Sequence, residues 1–185
     1  MRLSLRYSGV MTTILLTGSS RGIGAAAKAS LEARGAKVIG QATSSKAVDT
    51  VPADFCEPGA PHELWEAALA RTGGEIDVLI NNAGLFDPNP LDRSDIEWLD
   101  AWEDTMRINL TASAQLSRFA VKHWQERGFP GRIVHVASRA GHRGDSPAHW
   151  HYAASKGGML AMHKTIARQY AHEGILSFAI TPGFT

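Results

Sequence analysis

The sequence has one cysteine, almost no net charge and no long apolar run. Cys56 has no partner within these 185 residues, which excludes an internal disulfide and is typical of a reducing compartment such as the cytoplasm. The net charge is +1, from 19 Lys and Arg against 18 Asp and Glu, and predicts neither nucleic acid nor a membrane surface as partner. No apolar stretch approaches the roughly 20 residues that cross a bilayer. The basic N-terminus also lacks the continuous apolar core of a secretory signal.

Strand-like apolar runs alternate with helix-like segments along the chain. Near-continuous apolar runs suit strands buried on both faces, and their alternation with helices is typical of a doubly wound parallel sheet. We therefore predict an α/β fold with three layers and at least six strands. The predicted strands are 13–17, 37–41, 49–53, 76–81, 131–137 and 175–180, and the predicted helices lie near 22–34, 61–71, 94–127 and 150–173. We expect one domain over residues 12–185, after an N-terminal extension of residues 1–11.

Three glycines separate the first predicted strand from the first predicted helix. The segment Thr17-Gly18-Ser19-Ser20-Arg21-Gly22-Ile23-Gly24 would aim backbone N–H groups and the positive end of a helix dipole at one spot, which favours a phosphate. Gly18 would allow the tight turn, Gly22 the approach of a pyrophosphate, and Gly24 the packing of helix on sheet. On its own the pattern also fits a plain glycine-rich loop.

Tyr152 and Lys156 are four residues apart in the last predicted helix, so they share one face. A phenol ordinarily has a pKa of about 10, and a neighbouring ammonium favours its phenolate. Ser138 ends the strand 131–137 at the sheet edge where open α/β folds bind ligands. Alone, the tyrosine and lysine also fit an amphipathic helix with a half-buried tyrosine and a surface lysine.

Asn109 lies inside the long predicted helix 94–127, where asparagine is unfavourable because its amide competes for backbone hydrogen bonds. It is either a polar residue that faces solvent or a local break of the helix that frees a carbonyl. Another polar run, Asn81-Asn82-Ala83-Gly84, ends the strand 76–81 at the same sheet edge as Ser138.

Together these motifs resemble the short-chain dehydrogenase/reductase family of the Tyr-x-x-x-Lys type. The similarity covers residues 12–185, with the motifs in the family's order: TGSSRGIG at 17–24, Asp54-Phe55, NNAG at 81–84, Asn109, Ser138, YAASK at 152–156 and Pro182-Gly183. The resemblance implies a Rossmann-like fold and a nicotinamide-dependent oxidoreductase. The reaction would interconvert a ketone and a secondary alcohol, and a 3-oxoacyl-type substrate is expected from the frequency of that activity in the family.

The resemblance also implies a role for each residue of a catalytic tetrad. Tyr152 would give a proton to the carbonyl oxygen during reduction or remove it from the hydroxyl during oxidation. Lys156 would bind the nicotinamide ribose and favour the Tyr152 phenolate. Ser138 would hydrogen-bond the substrate oxygen, and Asn109 would hold a water that links Lys156 to solvent.

The expected cofactor is NADP(H) rather than NAD(H). An NAD site usually has a carboxylate about 20 residues past the glycine turn, and that position falls on Ala42, while Asp49 is too far along the chain. Thr43, Ser44 and Ser45 offer hydroxyls and Arg21 a charge for a 2′-phosphate. The predicted cofactor-binding residues are Gly18, Ser20, Arg21, Gly22, Ile23, Gly24, Thr43, Ser44, Asp54, Phe55, Asn82, Ala83, Gly84, Tyr152, Lys156, Pro182, Gly183 and Thr185.

Three features leave alternatives open. Gly157 and Gly158 make a smooth helix surface, which favours a homo-oligomer (dimer or tetramer) or only accommodates the chain's own sheet. Family members usually continue past the Pro-Gly motif, so we expect the C-terminal edge of the sheet to be missing. The alternative to an active oxidoreductase is therefore a catalytically impaired relative that binds a nucleotide or forms oligomers. His142, His149 and His151 form either a basic rim for a polar substrate or an ordinary loop. No histidine shows metal-ligand spacing, so no metal is predicted.

Overall fold

The computed structural model describes residues 11–44 and 47–183. The strands are β1 (Thr13–Leu16), β2 (Lys37–Ala42), β3 (Thr50–Pro52), β4 (Val78–Asn81), β5 (Gly131–Val136) and β6 (Ile175–Ile180). The helices are α1 (Gly22–Glu32), α2 (Ala60–Thr72), α3 (Asp95–Met106), α4 (Ala112–Arg127), α5 (Ala140–Arg143) and α6 (Trp150–Tyr170). A π-helical turn, Arg107–Thr111, joins α3 to α4, and a 3₁₀ turn, Ala171–Glu173, follows α6.

The six strands form one sheet in the order β3-β2-β1-β4-β5-β6, and each paired strand runs parallel to its neighbour. The chain winds outward from β1 to β3 and then outward on the other side from β4 to β6. The strand order therefore reverses between β1 and β4, and ligands bind at the carboxyl end of such a crevice. This sheet confirms the predicted doubly wound α/β fold.

The long predicted helix 94–127 is three segments rather than one. It begins with a capping box in which Ser94 Oγ accepts from Glu97 N and the Glu97 carboxylate accepts from Ser94 N. The π-helical turn then interrupts the α-helical pattern around Asn109, which is completely buried. The prediction that Asn109 faces solvent is therefore wrong. The alternative prediction, a local break of the α-helix at Asn109, agrees with the structure.

Other boundaries differ by a few residues from the prediction. β3 and β4 are shorter than the predicted strands 49–53 and 76–81, and α6 ends at Tyr170 before the 3₁₀ turn. Helix α5 has no counterpart in the prediction. The predicted extension, residues 1–11, lies outside the described residues except for Met11.

The main core lies on one face of the sheet, beneath α2, α4 and α6. Leu15, Leu79 and Ile133 lie at its centre on three neighbouring strands. A smaller cluster on the opposite face packs α1 against β1 and β2. Among the described helices, none combines the length and apolarity needed to cross a bilayer.

Candidate active site

A cavity of about 330 Å³ opens at the carboxyl edge of β4 and β5. Ser138, Tyr152 and Lys156 line it together, although they come from a strand end and from α6. Asn82, Gly84 and Phe86 line it from the loop after β4, and Pro182 and Gly183 from the segment after β6. The predicted motifs that follow three different strands therefore meet at one place.

Lys156 is buried and has a defined partner. Its Nζ donates to the Val136 carbonyl oxygen at 2.9 Å and lies 5.7 Å from the centre of the Tyr152 ring. Burial lowers the pKa of the Lys156 ammonium from its usual 10.5 to about 8. Tyr152 is half-buried, one helical turn earlier on α6. The alternative prediction, that Lys156 is a surface lysine, is therefore wrong.

Ser138 lies two residues beyond the end of β5, where the chain turns into α5. Its Oγ accepts from the backbone N of Ala140, the first residue of that short helix, at 3.1 Å. Helix α5 packs directly on the backbone of α6: a Cβ on Gly141 would lie 2.7 Å from the Lys156 carbonyl carbon. This close packing sets the position of Ser138 relative to Tyr152 and Lys156.

Asn109 is not among the described residues that line the cavity, yet it joins two segments that do. Its Oδ1 accepts from Leu85 N at 2.7 Å, and its Nδ2 donates to Leu85 O at 3.0 Å and to Ser155 Oγ at 3.1 Å. The loop after β4 and helix α6 are therefore tied through one buried amide. The main-chain carbonyl of Asn109 accepts from Ser113 Oγ at 3.1 Å.

The glycine turn has the shape of a phosphate cradle. Gly18 has φ +64°, and a Cβ there would lie 2.8 Å from Ala83 Cα, while a Cβ on Gly24 would collide with the Gly18 carbonyl oxygen. Gly22 has φ +53° with no described residue within 4 Å of a Cβ, so it faces open space at the start of α1. The first turn of α1 contains no acidic residue. The turn thus fits an anionic dinucleotide phosphate.

Three side chains hold this turn in shape. Thr17 Oγ1 accepts from both Asn82 N and Ala83 N at 2.9 Å, and Asn82 Nδ2 donates to the Thr17 and Gly18 carbonyls at 3.0 Å. Gln41 Oε1 accepts from Gly18 N at 2.8 Å. Asn82 and Gln41 therefore fix the backbone of the glycine turn from the neighbouring strands.

A family model described as short chain dehydrogenase matches residues 12–185. The chain belongs to the short-chain dehydrogenase/reductase family. It is 36% identical over 180 residues to the 3-oxoacyl-(acyl-carrier-protein) reductase FabG of Haemophilus influenzae and 34% identical over 181 residues to that of Escherichia coli. Each alignment covers 92% of this chain and 72% of the relative.

Solved structures agree with this family. A 4-hydroxyisoleucine dehydrogenase in complex with NADH superposes with a TM-score of 0.83 at 28% identity, over 93% of this chain and 75% of that one. A short-chain dehydrogenase from Streptomyces avermitilis gives the same TM-score at 25% identity, over 95% and 66%. The chain is thus an NAD(P)-dependent short-chain dehydrogenase/reductase.

The residues expected to determine whether this dehydrogenase binds NAD(H) or NADP(H) lie at the end of β2 and in the glycine turn. Ala42 is buried, whereas Thr43, Ser44 and Arg21 are exposed. Asp49, the next acidic residue, is paired with Lys28 of α1, and that hydrogen bond lowers the pKa of the Asp49 carboxyl. Ser45, Lys46 and Thr185 lie outside the described residues.

The other predicted cofactor residues are in different environments. Ser20, Arg21 and Ile23 are exposed at the glycine turn, and Ile23 also lines the cavity. Asp54 is exposed, with its Oδ1 accepting from Cys56 N at 3.0 Å. Phe55 is buried in the main core rather than placed along the cavity.

The three histidines from α5 to the start of α6 do not share one environment. His142 is exposed, His149 stacks on Phe86, and His151 is buried with Nδ1 unpartnered among the described residues. Burial also lowers the pKa of His151. Within the described chain, no three His, Cys, Asp or Glu side chains are grouped as metal ligands.

Sequence reasoning missed the aromatic contacts beside Tyr152 and a buried polar group behind the site. Asn81 Nδ2 lies 3.1 Å from Ser117 Oγ and 3.4 Å from His135 Nδ1, in the core beneath α4. Burial lowers the pKa of His135 to about 4, so this imidazole is neutral near pH 7. A histidine inside the apolar strand 131–137 was the available signal for such a group.

Proposed function

We propose that this dehydrogenase interconverts a ketone and a secondary alcohol with Tyr152 as general acid and base. The observation that supports this is the common cavity of Ser138, Tyr152 and Lys156, three groups of complementary chemistry. The nicotinamide, when bound, supplies the hydride that is added to the carbonyl carbon. The Tyr152 hydroxyl donates the proton to the carbonyl oxygen, and in the reverse direction it accepts that proton.

The other members of the tetrad position and assist Tyr152. The Ser138 hydroxyl hydrogen-bonds the substrate oxygen and stabilises the negative charge that develops there. The Lys156 ammonium has three donors and gives one to Val136, which leaves others for the nicotinamide ribose. Asn109 holds a water that passes protons between Lys156 and solvent. Its side chain is bonded to Leu85 and Ser155, and its main-chain carbonyl, which accepts from Ser113 Oγ and has a second lone pair, is the group proposed for that role.

Tyr152→Phe tests the acid directly. We expect kcat for carbonyl reduction to fall about 100-fold or more, because general acid catalysis contributes factors of that size. Cofactor binding should persist: a ligand at 100 times its Kd adds about 2.7 kcal/mol to folding stability, which thermal unfolding detects. Unchanged turnover would remove Tyr152 from the mechanism. Wild-type protein that binds cofactor but reduces no ketone would favour the impaired, nucleotide-binding alternative.

NADP(H) is proposed as the preferred cofactor, held by the glycine turn, the end of β2 and the segment after β6. A buried Ala42 in place of a carboxylate supports this, because no negative side chain there repels a 2′-phosphate. Asp54, the 82–84 loop and Pro182 to Thr185 are proposed to border the adenine, the ribose and the nicotinamide. Phe55 would act from the core by supporting Asp54.

Ala42→Asp tests the cofactor preference. The new carboxylate should weaken NADPH binding and strengthen NADH binding, because it repels the 2′-phosphate and accepts from the ribose 2′-hydroxyl. We expect the ratio of the two Kd values to change by about tenfold or more, a difference of about 1.4 kcal/mol. Ala33→Asp, a substitution at an exposed position after α1 and away from the turn, is the control. An unchanged ratio would contradict the assignment.

A 3-oxoacyl-type substrate is proposed from the relatives. Those named 3-oxoacyl-(acyl-carrier-protein) reductase are 34–36% identical, but a 3beta-hydroxysteroid dehydrogenase of Eggerthella lenta is also 34% identical. Comparing kcat/KM for ethyl acetoacetate and cyclohexanone distinguishes a linear 3-oxo compound from a cyclic ketone.

We also propose that the protein is a cytoplasmic homo-oligomer with one domain over residues 12–185. The lone cysteine supports a reducing compartment. Within one copy, the nearest groups to Gly157 and Gly158 are Gly141 of α5 and Leu110 of the π-helical turn, not the sheet. Sedimentation of the purified chain decides the oligomeric state.

A further inference from the structure

Phe86 packs against the first turn of α6, at the wall of the cavity. Its ring stacks on His149, with centroids 4.1 Å apart and planes at 14°, and meets the Tyr152 ring edge to face at 4.6 Å and 74°. His149 and Tyr152 are three residues apart at the start of one helix and so present the same side to Phe86. Phe86 therefore contacts both the proposed acid and a second ring that supports it.

The Tyr152 ring is bounded on two sides by groups that are themselves fixed. On one side the Lys156 ammonium lies 5.7 Å from the ring centre and is bonded to the Val136 carbonyl. On the other side Phe86 lies edge to face. A tyrosine ring turns about two torsions, and aromatic contacts of this geometry are worth about 0.5–1.5 kcal/mol beyond simple burial. These contacts restrict the directions in which the Tyr152 hydroxyl can point.

The backbone that carries Phe86 is also anchored. The preceding residue, Leu85, makes two hydrogen bonds to the Asn109 side chain, at 2.7 and 3.0 Å. The same asparagine amide donates to Ser155 of α6. Further along the loop, Asn89 N donates to Ala148 O at 2.8 Å, next to His149.

His149 is held in turn by its own neighbour. Its Nδ1 lies 2.6 Å from Ser146 Oγ, and its backbone N–H donates to the Ser146 carbonyl at 2.9 Å. Phe86 lines the cavity, whereas His149 is not among the described residues that do. Among the groups that line the cavity, the His149 ring stacks on Phe86, while its other neighbours, His151 and Ser146, lie outside the lining.

We propose that Phe86 and His149 act as a pair of positioning residues, which hold the Tyr152 ring in the orientation that proton transfer requires. This proposal rests on the proposed role of Tyr152. It adds that the stack of Phe86 on His149 must be intact for full kcat. Loss of either ring leaves Tyr152 chemically unchanged but free to turn away from the substrate oxygen. Misplacement of a catalytic group by about 1 Å can cost a factor of about 100 in rate.

The test is a double-mutant cycle on the full chain. kcat and KM are measured for wild type, Phe86→Leu, His149→Leu and the double variant, with NADPH and whichever of ethyl acetoacetate and cyclohexanone is reduced faster. We expect each single variant to lose about tenfold in kcat, with KM and the cofactor-induced thermal shift nearly unchanged. The double variant should lose no more than either single variant, because both changes break the same contact.

Two further variants serve as controls. The first tests whether an aromatic ring at position 86 is enough for normal kcat, and the second tests whether the loss of any half-exposed phenylalanine lowers kcat. Phe86→Tyr keeps the ring and should retain kcat within about twofold. Phe129→Leu makes the same change at a phenylalanine that is 43% exposed, against 47% for Phe86, and that lies after α4 beside Arg127 rather than at the cavity. It should leave kcat unchanged.

The outcomes distinguish this inference from the proposed function. If the losses multiply in the double variant, or fall on KM alone, Phe86 contacts substrate without positioning Tyr152, and the inference is wrong while the function stands. If His149→Leu has no effect on kcat, the inference is also wrong. If wild type binds NADPH but reduces neither ketone, the result contradicts both the proposed function and the inference.

Discussion

Lys156, proposed above to bind the nicotinamide ribose, carries a cost in stability. The ammonium is buried between the end of β5 and the start of α6, where it donates a hydrogen bond to the Val136 carbonyl. Burial lowers its pKa to about 8, which means that the folded chain holds this proton less tightly than the unfolded chain does. At pH 7 the buried, charged lysine therefore opposes folding.

Lys156→Met should stabilise the folded chain at pH 7 and abolish turnover. We expect a gain in the free energy of unfolding of about 1–3 kcal/mol, since the buried charge is removed and a side chain of similar length remains. Between about pH 8 and 10.5 the unfolded chain binds this proton and the folded chain does not, so wild-type stability rises with pH there. The advantage of the variant should thus be smaller at about pH 9.5 than at pH 7.

Denaturant unfolding at the two pH values measures this difference, with the exposed Lys122→Met on α4 as control. Equal stability of wild type and Lys156→Met at both pH values would show that the lysine is solvated and would contradict the lowered pKa.

At the scale of single residues, the sequence predicted which polar groups meet but not how each is held. Tyr152, Lys156 and Ser138 could be brought to one edge because their positions follow from helix periodicity and from the end of a strand. The partners of Asn109 are Leu85 and Ser155, which are 24 and 46 residues away along the chain. Contacts at such separations depend on packing between elements, which periodicity does not contain.

At the scale of elements, two glycines that pack against neighbouring segments differ in their tolerance for a methyl group: Gly141 at the α5–α6 contact, and Gly158 where α6 meets the π-helical turn. A Cβ on Gly141 would lie 2.7–2.9 Å from backbone atoms of Lys156 and Gly157, which cannot move without displacing α6. A Cβ on Gly158 would meet the end of the Leu110 side chain at 2.8 Å, and that side chain can turn.

Gly141→Ala should therefore destabilise the protein by about 1–3 kcal/mol and lower kcat, because α5 and Ser138 must shift away from α6. In Gly158→Ala, a gain of about 1 kcal/mol in helix propensity offsets the rotation of Leu110, so we expect a net change within about 1 kcal/mol and normal kcat. Thermal unfolding and kcat of the two variants, measured side by side, check this. Similar losses in both would contradict the assigned packing.

The same contact explains why α5 has no counterpart in the sequence prediction. A helix of four residues shows no periodicity, and its position depends on Gly141 lying against the backbone of α6. The division of the segment 94–127 was predictable in part, since Asn109 signalled a break. That the break is a π-helical turn could not be predicted, because it depends on the hydrogen bonds between Asn109 and the loop after β4.

At the scale of the whole molecule, the parallel topology followed from the alternation of apolar runs with helices. Strands with near-continuous apolar sequences bury side chains on both faces of the sheet. On one face, the main core is covered by α2, α4 and α6. On the other face, α1 covers β1 and β2, while β6 presents Leu176, Phe178 and Ile180 as exposed side chains. Phe178 stands in register with Val134 and Ile80 across three strands.

We expect this apolar row to make the 185-residue chain self-associate, and Phe178→Ser to weaken that association. Phe178 is 46% exposed, and burying a large apolar side chain contributes about 1.5–3 kcal/mol, so the association constant should fall by about tenfold or more. Sedimentation velocity over a range of concentrations measures it. Phe129→Ser removes a phenylalanine of similar exposure outside the sheet and should leave association unchanged. Equal behaviour of the two variants would show that the chain associates through another surface.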